Sequence, residues 1–158
     1  MPPLHSNKGL ISAVLILAAT LYLRFYAGVA FGFLPDFVLA ALITFSLFLG
    51  FFELVFIVSL AAFFLHWHPL PGIELYLLFI IPFTLFFMRK IIFAVRGWLA
   101  NIVSVMIGIA AFYAVSSFQL VSYAPYALLE DIVLAGIYGL FVYGYFKYFY
   151  GREVQELV

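Results

Sequence analysis

Residues 10–31 form an apolar stretch in which Arg24 is the one charged side chain. A helix of that length reaches about 33 Å, enough to cross a hydrocarbon core about 30 Å thick. Further apolar runs follow along most of the sequence. The 158 residues are 68% hydrophobic and 9% charged, against about 45–50% and about 25% in average soluble domains. A water-soluble fold of this size would expose far more contiguous apolar surface than the few hundred Å² that soluble monomers tolerate. Lipid as the solvent removes the conflict. The chain therefore reads as all-α: a polytopic integral membrane helical bundle, with residues 1–158 as a single transmembrane domain. The first run is expected to remain as a spanning helix rather than to be cleaved as a signal segment, although Lys8 and the small residues Gly28 and Ala30 offer the elements of one.

Breaks in the apolar runs divide the bundle. Pro35 ends the first connection, and Asp36 stands where it can cap a second helix and meet its dipole. Residues 36–66 as one helix would be about 46 Å long. That helix would hold Glu53 near the bilayer centre, at a cost of about 2.5 kcal/mol or more. Two shorter helices joined near Gly50 place Glu53 at a turn instead, and this hairpin is the expected arrangement. Pro69, Pro71 and Gly72 enforce a loop. A fourth helix is expected from about Glu74 to Met88, kinked at Pro82, with an interfacial turn at 91–95. A fifth is expected at about 98–118 and a sixth at about 126–150. Six transmembrane helices result, with five as the alternative if the hairpin is one long helix.

Arg24 reads as an interfacial anchor whose long side chain snorkels to water, with a buried functional role as the other possibility. Lys8, Arg89, Lys90, Arg96, Lys147 and Arg152 fall on one side of a six-helix model, with Arg24 alone on the other. The positive-inside rule then makes the Arg89–Lys90–Arg96 group a set of cytoplasmic basic anchors and puts the C-terminus in the cytoplasm. Tyr143, Tyr145, Tyr148 and Tyr150 are expected to form an interfacial belt.

Small residues recur on two helices. Ala100, Ser104 and Gly108 are spaced by four, and so are Ala135 and Gly139, as in close helix packing within lipid. Ser46, Ser59, Ser104, Ser116 and Ser117 read as interhelical hydrogen bonders.

Catalytic signals are weak. His66, Trp67, His68 and Glu74 form a polar cluster expected on the outer face. Two histidines and one distant acid lack the three or four well-spaced ligands of a zinc site, so an interfacial role is expected and no metal. Glu130 and Asp131 point about 100° apart on a helix and cannot act as a carboxyl dyad. No catalytic triad, phosphate loop or metalloprotease helix is present, and the sequence contains no Cys. The chain is read as non-enzymatic, without cofactor. Its zero formal net charge suggests no nucleic acid partner.

The organisation resembles the rod shape-determining membrane protein MreD family. The likeness lies in Leu34-Pro35-Asp36 opening the second helix and in a short hairpin ending at Ser59–His66 before Pro69-Leu70-Pro71-Gly72. It lies also in the basic group Arg89, Lys90 and Arg96 before the last two helices. The family commonly ends its third helix with a Gly-Leu-x-x-Asp-like sequence. Here Phe63-Phe64-Leu65-His66 has no acid, which puts any role of that acid in doubt. The resemblance implies a bacterial inner-membrane scaffold of the cell-elongation machinery that binds the membrane protein MreC and takes part in peptidoglycan synthesis. It implies also a six-helix fold similar to the substrate-binding subunits of energy-coupling-factor vitamin transporters. Such a transport subunit is the alternative function.

Overall fold

The computed structural model describes residues 7–31, 36–65, 72–93, 97–117 and 123–154. Among these residues the secondary structure is helical throughout. The elements are α1 (Asn7–Phe31), α2 (Phe37–Phe48), α3 (Phe51–Leu65), α4 (Ile73–Phe93), α5 (Gly97–Ser116) and α6 (Pro125–Val154). Three segments are long and apolar enough to cross a membrane: Lys8–Tyr26, Gly97–Ser116 and Pro125–Phe149.

The chain reverses at Gly50, as the placement of Glu53 requires. Glu53 is the acid in the first turn of α3. Its Oε2 accepts the backbone N–H of Gly50 at 2.9 Å, which is the acidic half of a capping box. A single long helix through this point is thereby excluded.

α2 is the axis of the bundle. Its 12 residues measure about 18 Å. Every residue from Val38 to Leu47 is buried. α1, α3, α4, α5 and α6 all pack against it. Large exposed apolar side chains occur on every helix except α2, among them Tyr22 on α1, Phe52 on α3, Phe87 on α4, Ile107 on α5 and Phe141 on α6. A polar-outside pattern is thus inverted: the outer helices present apolar residues outward, and the most enclosed helix is the short one.

Two apolar clusters fill the spaces around α2. One gathers Ala13, Leu17, Phe45, Ile57, Ala61, Leu78 and Phe146 from α1, α2, α3, α4 and α6. The other gathers Leu39, Ile43, Val105, Ile109 and Ala135 from α2, α5 and α6. Phe45 stands edge-on to Phe146 at 5.5 Å between ring centroids, a favoured aromatic geometry.

Three local expectations are corrected. α4 contains Pro82 but continues to Phe93 rather than ending near Met88, so residues 91–93 are helical and not an interfacial turn. Tyr143 is buried and faces Phe48 at 5.3 Å, so it leaves the expected belt. Tyr145 and Tyr148 remain exposed. The reason is helical spacing: Tyr143 follows Ala135 and Gly139 at intervals of four, on the face that α6 turns inward.

Candidate functional site

Among the described residues, most of the buried polar groups lie at three levels between α1, α2, α5 and α6. At the Asp36 end, the Arg24 guanidinium of α1 donates to Asp36 Oδ1 at 3.3 Å. The backbone N–H of Asp36 donates to Asp131 Oδ1 of α6 at 2.8 Å. Both acids are buried, Asp36 at 7% and Asp131 at 2% exposure. From α5 the Tyr113 phenol stands beside Asp131.

One level deeper, Thr20 of α1 donates to Ile16 O in its own helix at 2.6 Å. Its hydroxyl proton is therefore engaged, and the 2.5 Å contact with Tyr138 is one in which the phenol donates. Deeper still, Asn101 Nδ2 donates to Gly139 O at 3.0 Å. The Thr44 hydroxyl, which donates to Ala40 O at 3.0 Å, also points to Gly139 O at 3.5 Å. Where apolar groups surround them, such bonds spare helices the cost of unsatisfied polar atoms. Among the described residues, two buried acceptor atoms make no hydrogen bond: Asn101 Oδ1 and Asp131 Oδ2.

At the Gly50 end, Arg89 donates to Leu49 O at 3.2 Å. Its guanidinium also lies over the Phe86 ring, 4.4 Å from the centroid. A cation at the carboxyl end of α2 meets the negative end of that helix. It also covers carbonyls that a helix terminus leaves open.

The small residues sit where helices approach. Ala100, Ser104 and Gly108 are on the buried side of α5. A Cβ at Gly108 would collide with Ile43 of α2 and lie 3.2 Å from Ile81 Cγ2 of α4. On α6, Ala135 is fully buried, and a Cβ at Gly139 would lie 2.9 Å from Val105 Cγ2.

The structure departs from several readings of individual residues. Arg24 is joined to a buried acid rather than simply reaching for water. Asp36 occupies the N-cap position of α2, but its side chain makes no capping bond, because its Oδ1 is turned to Arg24. Ser46 donates to Ile43 O and Ser116 to Phe112 O, each within its own helix. A serine reaches its own preceding turn without any help from tertiary structure. Ser59 is exposed. Thr20, Thr44, Asn101 and Tyr138 hold the interhelical bonds instead, and single polar residues inside apolar runs were the available signal. Glu130 is exposed while its neighbour Asp131 is buried, as 100° separation requires. Glu74 lies in the first turn of α4. His66, Trp67, His68 and Arg96 lie outside the described residues, as does the side chain of Lys90.

These features define a helical bundle with three helices long and apolar enough to cross a membrane and a polar seam inside it. No protein-family model, curated protein or solved structure matches the chain.

Proposed function

We propose that the chain is a non-enzymatic scaffold of the bacterial cytoplasmic membrane, of the kind that the MreD resemblance implies. In this reading it holds partner membrane proteins of the cell-elongation machinery, one of the MreC kind among them, where peptidoglycan is made. All six helices cross or enter the bilayer. The Asp36 end faces outward, and the Gly50 end, Arg89 and the C-terminus face the cytoplasm. The chain is multi-pass and works without a cofactor.

One observation supports a scaffold over a capture subunit. The bundle axis is occupied by α2, whose residues Val38–Leu47 are all buried. A small-molecule site needs a concave cavity of some hundreds of Å³, and in this bundle protein stands on the axis. The broad apolar exterior, by contrast, gives partner helices ample surface.

The test is co-purification from a rod-shaped bacterium in mild detergent, together with depletion of the chain. The scaffold reading expects recovery of the MreC-type protein and rounding of the cells. Large ligand-specific thermal stabilisation by a vitamin, with neither of those effects, would overturn it in favour of the transport subunit.

A further inference from the structure

Among the described residues, the Asp36 end of the seam contains more acid than its one cation balances. Arg24 is bonded to Asp36. Asp131 shares the same joint through the Asp36 N–H. It is 2% exposed, and its Oδ2 is enclosed without a hydrogen bond. Two buried carboxylates facing one guanidinium would leave a net negative charge away from water, the situation that burial penalises most.

Among the described residues, Arg24 is the one cation that acts on Asp36 and Asp131. From α4, Glu74 adds negative charge toward Asp36. From α5, the Tyr113 phenol beside Asp131 can donate to a carboxylate but brings no positive charge. On α6, Glu130 is exposed. From α1 comes Arg24, which is already bonded to Asp36. A metal ion is a poor substitute, because no group of three or more acids or histidines suited to a metal occurs among the described residues.

We propose that Asp131 is a proton-binding site at the joint of α1, α2 and α6, with the proton carried on Oδ2. The neutral acid keeps Oδ1 free to accept the Asp36 N–H. It gains an O–H whose hydrogen the neighbouring Tyr113 phenol can accept, since a phenol accepts as well as donates. Asp36 then remains the ionised partner of Arg24. The joint between α1, α2 and α6 is thereby electrically neutral, and it would change if that proton were withdrawn. This inference is independent of the scaffold reading and survives its failure.

The chain contains two aspartates, Asp36 and Asp131, so carboxyl-labelled aspartate gives a two-signal spectrum. The experiment is solid-state NMR of the unmodified full chain in lipid bilayers at neutral pH, with aspartate ¹³C-labelled at Cγ. Asp36 follows Pro35 and Asp131 follows Glu130. Carbonyl-labelled proline paired with ¹⁵N-aspartate therefore assigns the two signals without any substitution. One neutral-acid resonance assigned to Asp131 and one carboxylate resonance assigned to Asp36 are expected. The neutral resonance should move in D₂O and stay in place when sodium replaces choline at constant pH. Two carboxylate resonances, or a neutral resonance belonging to Asp36, would overturn the proposal. A sodium-dependent shift of the Asp131 signal would overturn it in favour of a metal cation.

Discussion

Among the described glycines, Gly108 and Gly139 are those at which a single methyl group matters most. Each lies where a neighbouring helix occupies the space a side chain would take. Gly108→Leu should force α5 away from Ile43 and destabilise the bundle by about 1–3 kcal/mol, the usual range for overpacking. Gly144→Ala should be close to neutral, because nothing lies within 4 Å of the added atom. Unfolding equilibria in mixed micelles compare the two directly. Arg24 makes a different kind of prediction. Arg24→Gln removes the cation from Asp36, a buried acid, and should destabilise by about 2 kcal/mol. That lies below the 3–5 kcal/mol typical of a wholly buried pair, because the Arg24 side chain keeps 31% exposure. In a double-mutant cycle, Asp36→Asn should cancel most of the loss. Additive effects would show that the pair is not coupled. At this scale the sequence was informative about spacing and poor about partners. Four-residue repeats of small side chains marked the inner faces of α5 and α6. Nothing in the order of residues tied Arg24 and Asp131 to the same residue, Asp36, from opposite ends of the chain.

In the proposed membrane setting, helix α2 shows how an element too short to cross a bilayer can be accommodated within one. A short helix exposed to lipid would leave polar ends in hydrocarbon or thin the membrane around it. α2 meets neither problem, because other helices surround it and Arg89 covers a carbonyl at its end. Its side chains should therefore dominate stability. Phe45→Ala should cost about 3 kcal/mol, the lower end for a buried aromatic, since lipid and core are similarly apolar and mainly the cavity counts. Phe52→Ala, at 85% exposure, should change stability by less than about 0.5 kcal/mol. A chevron or equilibrium series in detergent distinguishes the two sites. The hairpin holding α2 and α3 could be read from the sequence because Glu53 at a bilayer centre is costly, whereas at a helix start it caps. The enclosure of α2 could not. α2 and α3 are similarly apolar, so composition does not say which one the others will cover.

Over the whole molecule, the arrangement of charge predicts which ends share a side. The Gly50 turn and the α6 end near Lys147 should label together, and Tyr126 should label from the opposite face. The absence of Cys makes single-cysteine labelling with a membrane-impermeant maleimide a clean measurement in oriented vesicles. Labelling of positions 50 and 126 from the same side would overturn the six-span arrangement. By itself the sequence determined that the chain is helical and apolar on its outside, and it marked most of the helix breaks, though not the end of α4. Those properties depend on local chemistry: the length of apolar runs, proline and glycine, and the cost of an acid in lipid. Only the tertiary structure decided which helix becomes the axis and which polar atoms meet inside it. Among nearly uniform apolar faces, hydrophobicity does not discriminate between partners. The choice falls to close approach at glycines and to a few hydrogen bonds between distant residues, and both exist only once the helices are assembled.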